Sequence, residues 1–384
     1  MKRSLFNELC AVGGSLMLLA VFAPPAPASD DKDDVGAVYT MTNDPQANAV
    51  LVFQRGSNGA LTPGGTFYTG GRGTGGKEPD FGLGNARALV LGQGDRLLFV
   101  VNPGSDDVSV FEVESHGLRL LDRHHSGGHQ PVSITVHGKL VYVLNAGGND
   151  GQSDNITGFI VREDGRLADL PNSRRPLSAA ATGPAEVRFS RDGAFLAVTE
   201  RNTDKIDTYL VGHSGLLTGP VVNASDSQTP FGFDFGLRNE MFVADDFNDA
   251  IGQGAMSSYF FGANGHLNLV SGNVKAAQSG ACWVLVSANG KYAYLTSTVS
   301  SAVSLYNVNL LNGQITHAKS YASPTNPTDM DFSRDGRFLY ILNPDQTGST
   351  PGITAYRVNP ADGTLTAIPG VTGLPAAIDG IAAR

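Results

Sequence analysis

The sequence predicts an all-β fold, a seven-bladed β-propeller of four antiparallel strands per blade whose C-terminal strand completes the first blade. Three observations carry that expectation: a glycine hairpin repeated seven times, a strand–turn–strand element upstream of most copies, and one unmatched strand at the far end. Repetition at a period of 40 to 50 residues is the mark of propellers and solenoids.

The hairpin is a small or polar residue, then Gly, then Leu or Ile within two places. It recurs at Asn58-Gly59, His116-Gly117, Asp164-Gly165, Ser214-Gly215, Asn264-Gly265, Asn312-Gly313 and Asp362-Gly363, with glycines 58, 48, 50, 50, 48 and 50 residues apart. Asn-Gly and Asp-Gly favour tight turns because both central positions accept positive φ. Each copy follows an alternating strand such as Val108-Ser109-Val110-Phe111 or Ile353-Thr354-Ala355-Tyr356. Upstream, Met330 to Asn343 shows strand, Ser-Arg-Asp-Gly turn and strand, and Val187 to Glu200, Val284 to Ser297, Leu89 to Asn102 and Ile134 to Asn145 follow it. Four short strands per unit is the content of one blade. Blade one opens directly on Ala37-Val38-Tyr39-Thr40-Met41, which matches a second strand. Its missing inner strand is supplied by Ala376 to Ala383, expected beside residues 37 to 43.

The N-terminus reads as an export signal over residues 1–28: basic Lys2 and Arg3, an apolar run from Ala11 to Ala23, and a small-residue cleavage site at Ala26-Pro27-Ala28. Residues 29–36 form an acidic linker, and 37–384 the single propeller domain. The run is too short for a permanent span, so a secreted or periplasmic location is expected. The formal charge is −9, and −10 without Lys2, Arg3 and Glu8, which disfavours nucleic acid and anionic membrane as partners. Only Cys282 remains beyond the signal, so no internal disulfide forms. A monomer is expected.

The Ser-x-Asp-Gly turn, the strand end Leu339-Tyr340-Ile341-Leu342-Asn343 and the Asp-Gly-x-Leu hairpin together resemble the seven-bladed lactonase family, which includes bacterial 6-phosphogluconolactonases and carboxymuconate cyclases. The resemblance covers residues 35 to 384. It implies the propeller fold and a lactone-directed activity. Family enzymes carry Pro-Arg-His opening an inner strand and Asn-Glu at the end of the next. The matching stretches here are Pro184-Ala185-Glu186 and Thr199-Glu200-Arg201, and the family's Pro-His-Ser is Pro131-Val132-Ser133. The family's catalytic set is therefore not carried over. The upper loops hold mostly carboxylates, which suits a neutral or cationic ligand better than a phosphorylated one.

Charged side chains on inner strands face the central channel and demand an explanation. Glu186, Arg188 and Asp329 are the catalytic candidates, with Arg188 polarising a carbonyl and a carboxylate activating water. The alternative is an inter-blade ion-pair network. Gln130, Glu200, Arg201, Asp234, Trp283 and Asp331 are candidate substrate contacts. Asp245, Asp246 and Asp249 are candidate Ca2+ ligands on the rim, although no EF-hand spacing is present, and no other cofactor is expected. His129 has no partner visible in the sequence, and Cys282 reads as a buried filler. Asn155-Ile156-Thr157 and Asn223-Ala224-Ser225 fit glycan acceptors in a eukaryotic host. Two functions remain: hydrolysis or isomerisation of a small unphosphorylated lactone at the channel, or non-enzymatic recognition of a protein or glycan on the rim.

Overall fold

Seven antiparallel sheets make up the chain, six of four strands and one of five, six of them built from the strand–turn–strand element and the glycine hairpin and blade 1 from both ends of the chain. The structure, a computed structural model, describes residues 34–76, 86–147, 151–344 and 348–384. The expected signal and residues 29–33 lie outside the described residues.

The inner strands of blades 2 to 7 are Leu89–Gly92, Pro131–His137, Pro184–Phe189, Pro230–Phe235, Ala281–Val286 and Met330–Phe332. Blade 1 takes its inner strand from Asp379–Ala383, which pairs antiparallel with Asp34–Met41 through Val38 to Ala383 and Thr40 to Ile381. Each inner strand touches the next, and Asp379–Ala383 touches those of blades 7 and 2, so the ring closes. The first strand starts at Asp34, inside the segment expected as linker, because Asp34 and Gly36 already pair with Gly56 and Arg55. In blade 3 the outermost strand is split into Leu167–Asp169 and Arg175–Pro176, both paired to Asn155–Val161.

Second strands such as Leu97–Asn102, Tyr292–Ser297 and Phe338–Asn343 are buried along their whole length. Both faces pack on neighbouring blades, and so these strands read as nearly continuous apolar runs. Outer strands such as Leu61–Tyr68 and Ile315–Ala322 are largely solvated.

Six of the seven repeat glycines have φ between 71° and 87°, as the hairpin requires. Their second role lies between blades. The Tyr340 hydroxyl donates to the Gly59 carbonyl at 2.9 Å, Tyr142 to Gly215 at 2.9 Å and Tyr294 to Gly363 at 2.7 Å, each reaching the following blade. A Cβ at Gly59 would lie 2.4 Å from the Phe338 ring, and one at Gly117 2.4 Å from Phe67. Gly117 is absent from the positive-φ set, so close blade packing alone accounts for it. Gly59→Ala therefore combines a left-handed backbone, costing about 1–2 kcal/mol, with overpacking of about 1–3 kcal/mol. Gly94, at φ 68° with nothing within 4 Å of its Cβ position, bears only the first cost. Urea denaturation of both variants should place Gly59→Ala clearly below Gly94→Ala in stability; equal losses would remove the packing role.

Candidate functional site

Strand register places the candidate residues on two rungs around the channel. Val187, Val284 and Met330 pair with equivalent positions of their second strands, Val198, Leu295 and Ile341. The preceding residues, Glu186, Trp283 and Asp329, therefore share one rung. Arg188, Asp234 and Asp331 share the next, since Phe233 pairs with Val243 in the same way. Gly232 occupies the upper rung in blade 5, where a Cβ would crowd the Cys282 carbonyl at 2.8 Å.

Most of these side chains join one blade to its neighbour. Glu186 Oε2 accepts from the Phe233 amide at 2.7 Å, and Asp234 Oδ2 from Val286 at 2.8 Å. Asp331 Oδ2 accepts from Ala383 at 2.9 Å, and Asp329 Oδ2 from Arg87 at 3.1 Å and Ile381 at 3.4 Å. Between blades 3 and 4 hydroxyls serve instead: Ser133 accepts from Val187 and Thr135 from Phe189. Arg188 is clamped by Asp234 at 2.7 Å, Glu186 at 3.5 Å and the Phe233 carbonyl at 3.1 Å. The inter-blade network raised by the sequence is thus present, and it uses the same groups proposed for chemistry.

Trp283 breaks the series. It is 2% exposed, its Nε1 has no hydrogen-bond partner, and it lines a channel cavity of about 10 Å³. That is room for about one water molecule. Glu186 Oε1 and Arg87 Nε, also buried and without hydrogen bonds, belong to residues lining the same cavity. Above it, Trp283 packs on Phe231 at 5.1 Å, and the Arg201 guanidinium lies 5.0 Å from the Phe231 ring. The Arg201–Phe231–Trp283 stack leads from the rim down to the cavity.

Arg87 escaped the sequence reading. Alternation counted back from Val90 and Ala88 turns it away from the axis, but its left-handed backbone, φ 63°, takes it out of that alternation.

Four carboxyls, Glu186, Asp234, Asp329 and Asp331, face two guanidiniums, and burial dominates the titration of Glu186, Asp329 and Asp331. It pushes Glu186 up to about 8, against the opposing charges of Arg188 and Arg87. Asp331 rises to about 7 and Asp329 to about 6 for the same reason, tempered by backbone donors. Burial works against the Arg188 charge, yet Asp234 and Glu186 outweigh it and hold its pKa above the ordinary value.

The other candidates lie apart from this cavity. Gln130 caps the start of blade 3, its main-chain N–H donating to Asp106 Oδ1 at 2.7 Å. Glu200 is buried and accepts from the Ser178 amide at 2.9 Å and its hydroxyl at 2.5 Å. Asp245, Asp246 and Asp249 do not converge: Asp245 turns inward to Ser257 at 2.5 Å, and Asp246 accepts from the Asp249 amide at 3.1 Å. Among the described residues, no group of three or more His, Cys, Asp or Glu side chains could hold a metal ion. His129 does have a partner, Asp106 at 3.0 Å, which the sequence could not show because the two lie on different loops. The Cys282 thiol is pushed well above its usual range, chiefly by burial. Asn155 and Asn223 are buried within sheets, so neither presents a glycan acceptor on the folded surface.

Fold and channel define a seven-bladed propeller resembling the lactonases. Residues 261–378 match the family model described as Lactonase, 7-bladed beta-propeller. A curated 6-phosphogluconolactonase of Formosa agariphila is 25% identical over 202 residues, which is 47% of this chain and 55% of that protein. The chain thus spans about half the length of the curated relative it matches. Among solved structures, the periplasmic gluconolactonase of Pseudomonas aeruginosa superposes with a TM-score of 0.69 at 17% identity, covering 91% of this chain and 98% of its own. A Lactobacillus plantarum protein superposes at 0.71 with 15% identity, covering 91% and 100%. At these identities the likeness is one of fold. No helix among the described residues is long and apolar enough to cross a membrane.

Proposed function

We propose that this protein is an exported lactonase that hydrolyses a small, unphosphorylated lactone at the upper mouth of the channel. The observation that carries the reading is that Glu186, Arg87 and Trp283 line one water-sized cavity while Glu186 Oε1, Arg87 Nε and Trp283 Nε1 are buried and without hydrogen bonds, Glu186 Oε1 lying 3.5 Å from Arg188. In this reading the cavity holds the attacking water and the lactone ring lies above it along the Arg201–Phe231–Trp283 stack. Water oxygen attacks the lactone carbonyl and its proton passes to Glu186. Arg87 and Trp283 stabilise the oxyanion. The ring C–O bond then breaks, and the departing alkoxide takes the proton from Glu186, giving the hydroxy acid. Arg188 and Asp329 act as positioning residues, Arg188 by aligning Glu186 and Asp329 by holding the Arg87 backbone. Export is supported by the N-terminal pattern of Lys2, Arg3 and the apolar run, and agrees with the periplasmic location of the Pseudomonas aeruginosa gluconolactonase.

The test is a pH-stat assay on a panel of unphosphorylated lactones. Glu186→Gln keeps the shape and the Phe233 contact but removes the base, and kcat should fall by about 10²–10⁴-fold. Wild-type kcat should climb toward pH 8 as Glu186 loses its proton. Equal activity in Glu186→Gln would remove the site. No turnover of any lactone would favour the second reading, a ligand-binding propeller, which the use of the channel carboxylates as inter-blade clasps supports.

A further inference from the structure

The opposite, lower face of the ring carries a separate cavity of about 520 Å³, lined by turns of blades 7, 1 and 2. Arg96, Arg334, Arg384 and His116 line it, with Asp95 as the one side-chain carboxylate among its lining residues. That concentration of positive charge is unexpected in a chain of net charge −9.

Asp95 is committed to Arg334 at 3.1 Å. The Glu114 carboxylate is taken by Arg119 at 3.0 Å, leaving only its main-chain carbonyl for Arg384 at 3.3 Å. Arg384 Nε is buried and has no hydrogen-bond partner, while the Arg384 carbonyl is turned to Arg55 at 3.2 Å. The side chains of Arg96 and Arg334 remain exposed at the rim. Four cationic or protonatable groups from four separate segments thus face a space the size of a small-molecule site. Guanidiniums arranged around a cavity favour planar oxyanions, which they bind bidentately.

We infer that this lower cavity binds a small multivalent oxyanion, of the phosphate or polycarboxylate class. It lies on the other face from the channel mouth and does not depend on the lactonase reading. Arg384 Nε and one edge of Arg96 hold the anion, Arg334 closes on it by exchanging Asp95 for ligand oxygen, and His116 contributes one further donor.

Calorimetric titration with inorganic phosphate and, separately, with citrate tests this, each against sodium chloride at matched ionic strength. Saturable heat is expected with at least one of the two, and the comparison identifies whether phosphate or carboxylate geometry is preferred. Arg96→Ala combined with Arg334→Ala should weaken that binding at least tenfold while lactone turnover, if present, stays unchanged. Arg96→Glu alone, at a solvated side chain, gives the same test with little risk to folding, and circular dichroism confirms that both variants are folded. Unaltered affinity in either variant, or heats no larger than those of sodium chloride, would overturn the assignment.

Discussion

Replacing Arg188 with methionine should destabilise the protein by about 3–5 kcal/mol, the usual cost of removing one partner from a buried charge pair. Arg188 is held by Asp234, Glu186 and the Phe233 carbonyl. Without it, four carboxyls would face Arg87 alone. Burial already opposes ionisation of Glu186, Asp329 and Asp331, so the variant has one escape, which is to take up protons. The loss should accordingly be larger at pH 8.5 than at pH 5.5, where that escape is nearly complete. Adding Asp234→Asn should recover part of the deficit, because it removes the carboxylate nearest the lost guanidinium and leaves an amide to meet Val286. Urea denaturation of both variants at the two pH values measures this. A loss below 1 kcal/mol at both would mean that the network contributes little to the ring.

The same groups bear on ring integrity and on the proposed chemistry. A clasp from Glu186 to the Phe233 amide holds blades 4 and 5 together and also fixes the carboxylate proposed as the base, whose other oxygen has no hydrogen bond and lies 3.5 Å from Arg188. Substitutions that delete Glu186 altogether would mix folding with catalysis. Glu186→Gln separates them, since its carbonyl oxygen can still accept from Phe233.

How far the sequence could be read follows from the range of each signal. The blades and the closing strand were legible because glycine hairpins and alternating strands are local, and the residue left unmatched at one end had to pair with the gap at the other. Glu186, Arg188, Asp234, Asp329, Asp331 and Trp283 were legible as a group because period-2 alternation places them on the axis once a ring is assumed. Arg87 was not, since its left-handed backbone breaks that period. The Asp106–His129 pair and the lower arginine cavity were also hidden, because each joins loops from different blades with no shared motif. Asp245, Asp246 and Asp249 failed as a cluster for a local reason: adjacent strand-end residues point to opposite faces, and Asp245 is turned into its own blade toward Ser257. The asparagines of the two glycan patterns fell inside strands, where their side chains bond neighbouring backbone and side chains instead of water.

Stability should decline as pH rises, the reverse of the usual acid-labile behaviour. In the folded protein burial raises Glu186 to about 8, Asp331, Asp245 and Asp246 to about 7, and Asp329 to about 6. Unfolded carboxyls titrate near 4. Between those values the native state holds more protons than the unfolded one, so the slope of unfolding free energy against pH is negative. The stabilisation is complete below the unfolded values and is lost progressively as pH climbs from about 4, levelling off once each folded value, about 6 to 8, is passed. Each group titrating alone contributes up to about 1.4 kcal/mol per pH unit over its own window. Thermal unfolding from pH 5 to 9 should show a falling midpoint, and a flat or rising profile would mean that these carboxyls are ionised in the folded state. Glu186→Gln mimics the protonated carboxyl permanently, so relative to wild type it should gain stability between pH 5.5 and 8.5. Lactone turnover, which needs Glu186 ionised, should rise over that interval while stability falls, and this opposition ties the proposed base to the buried network that positions it.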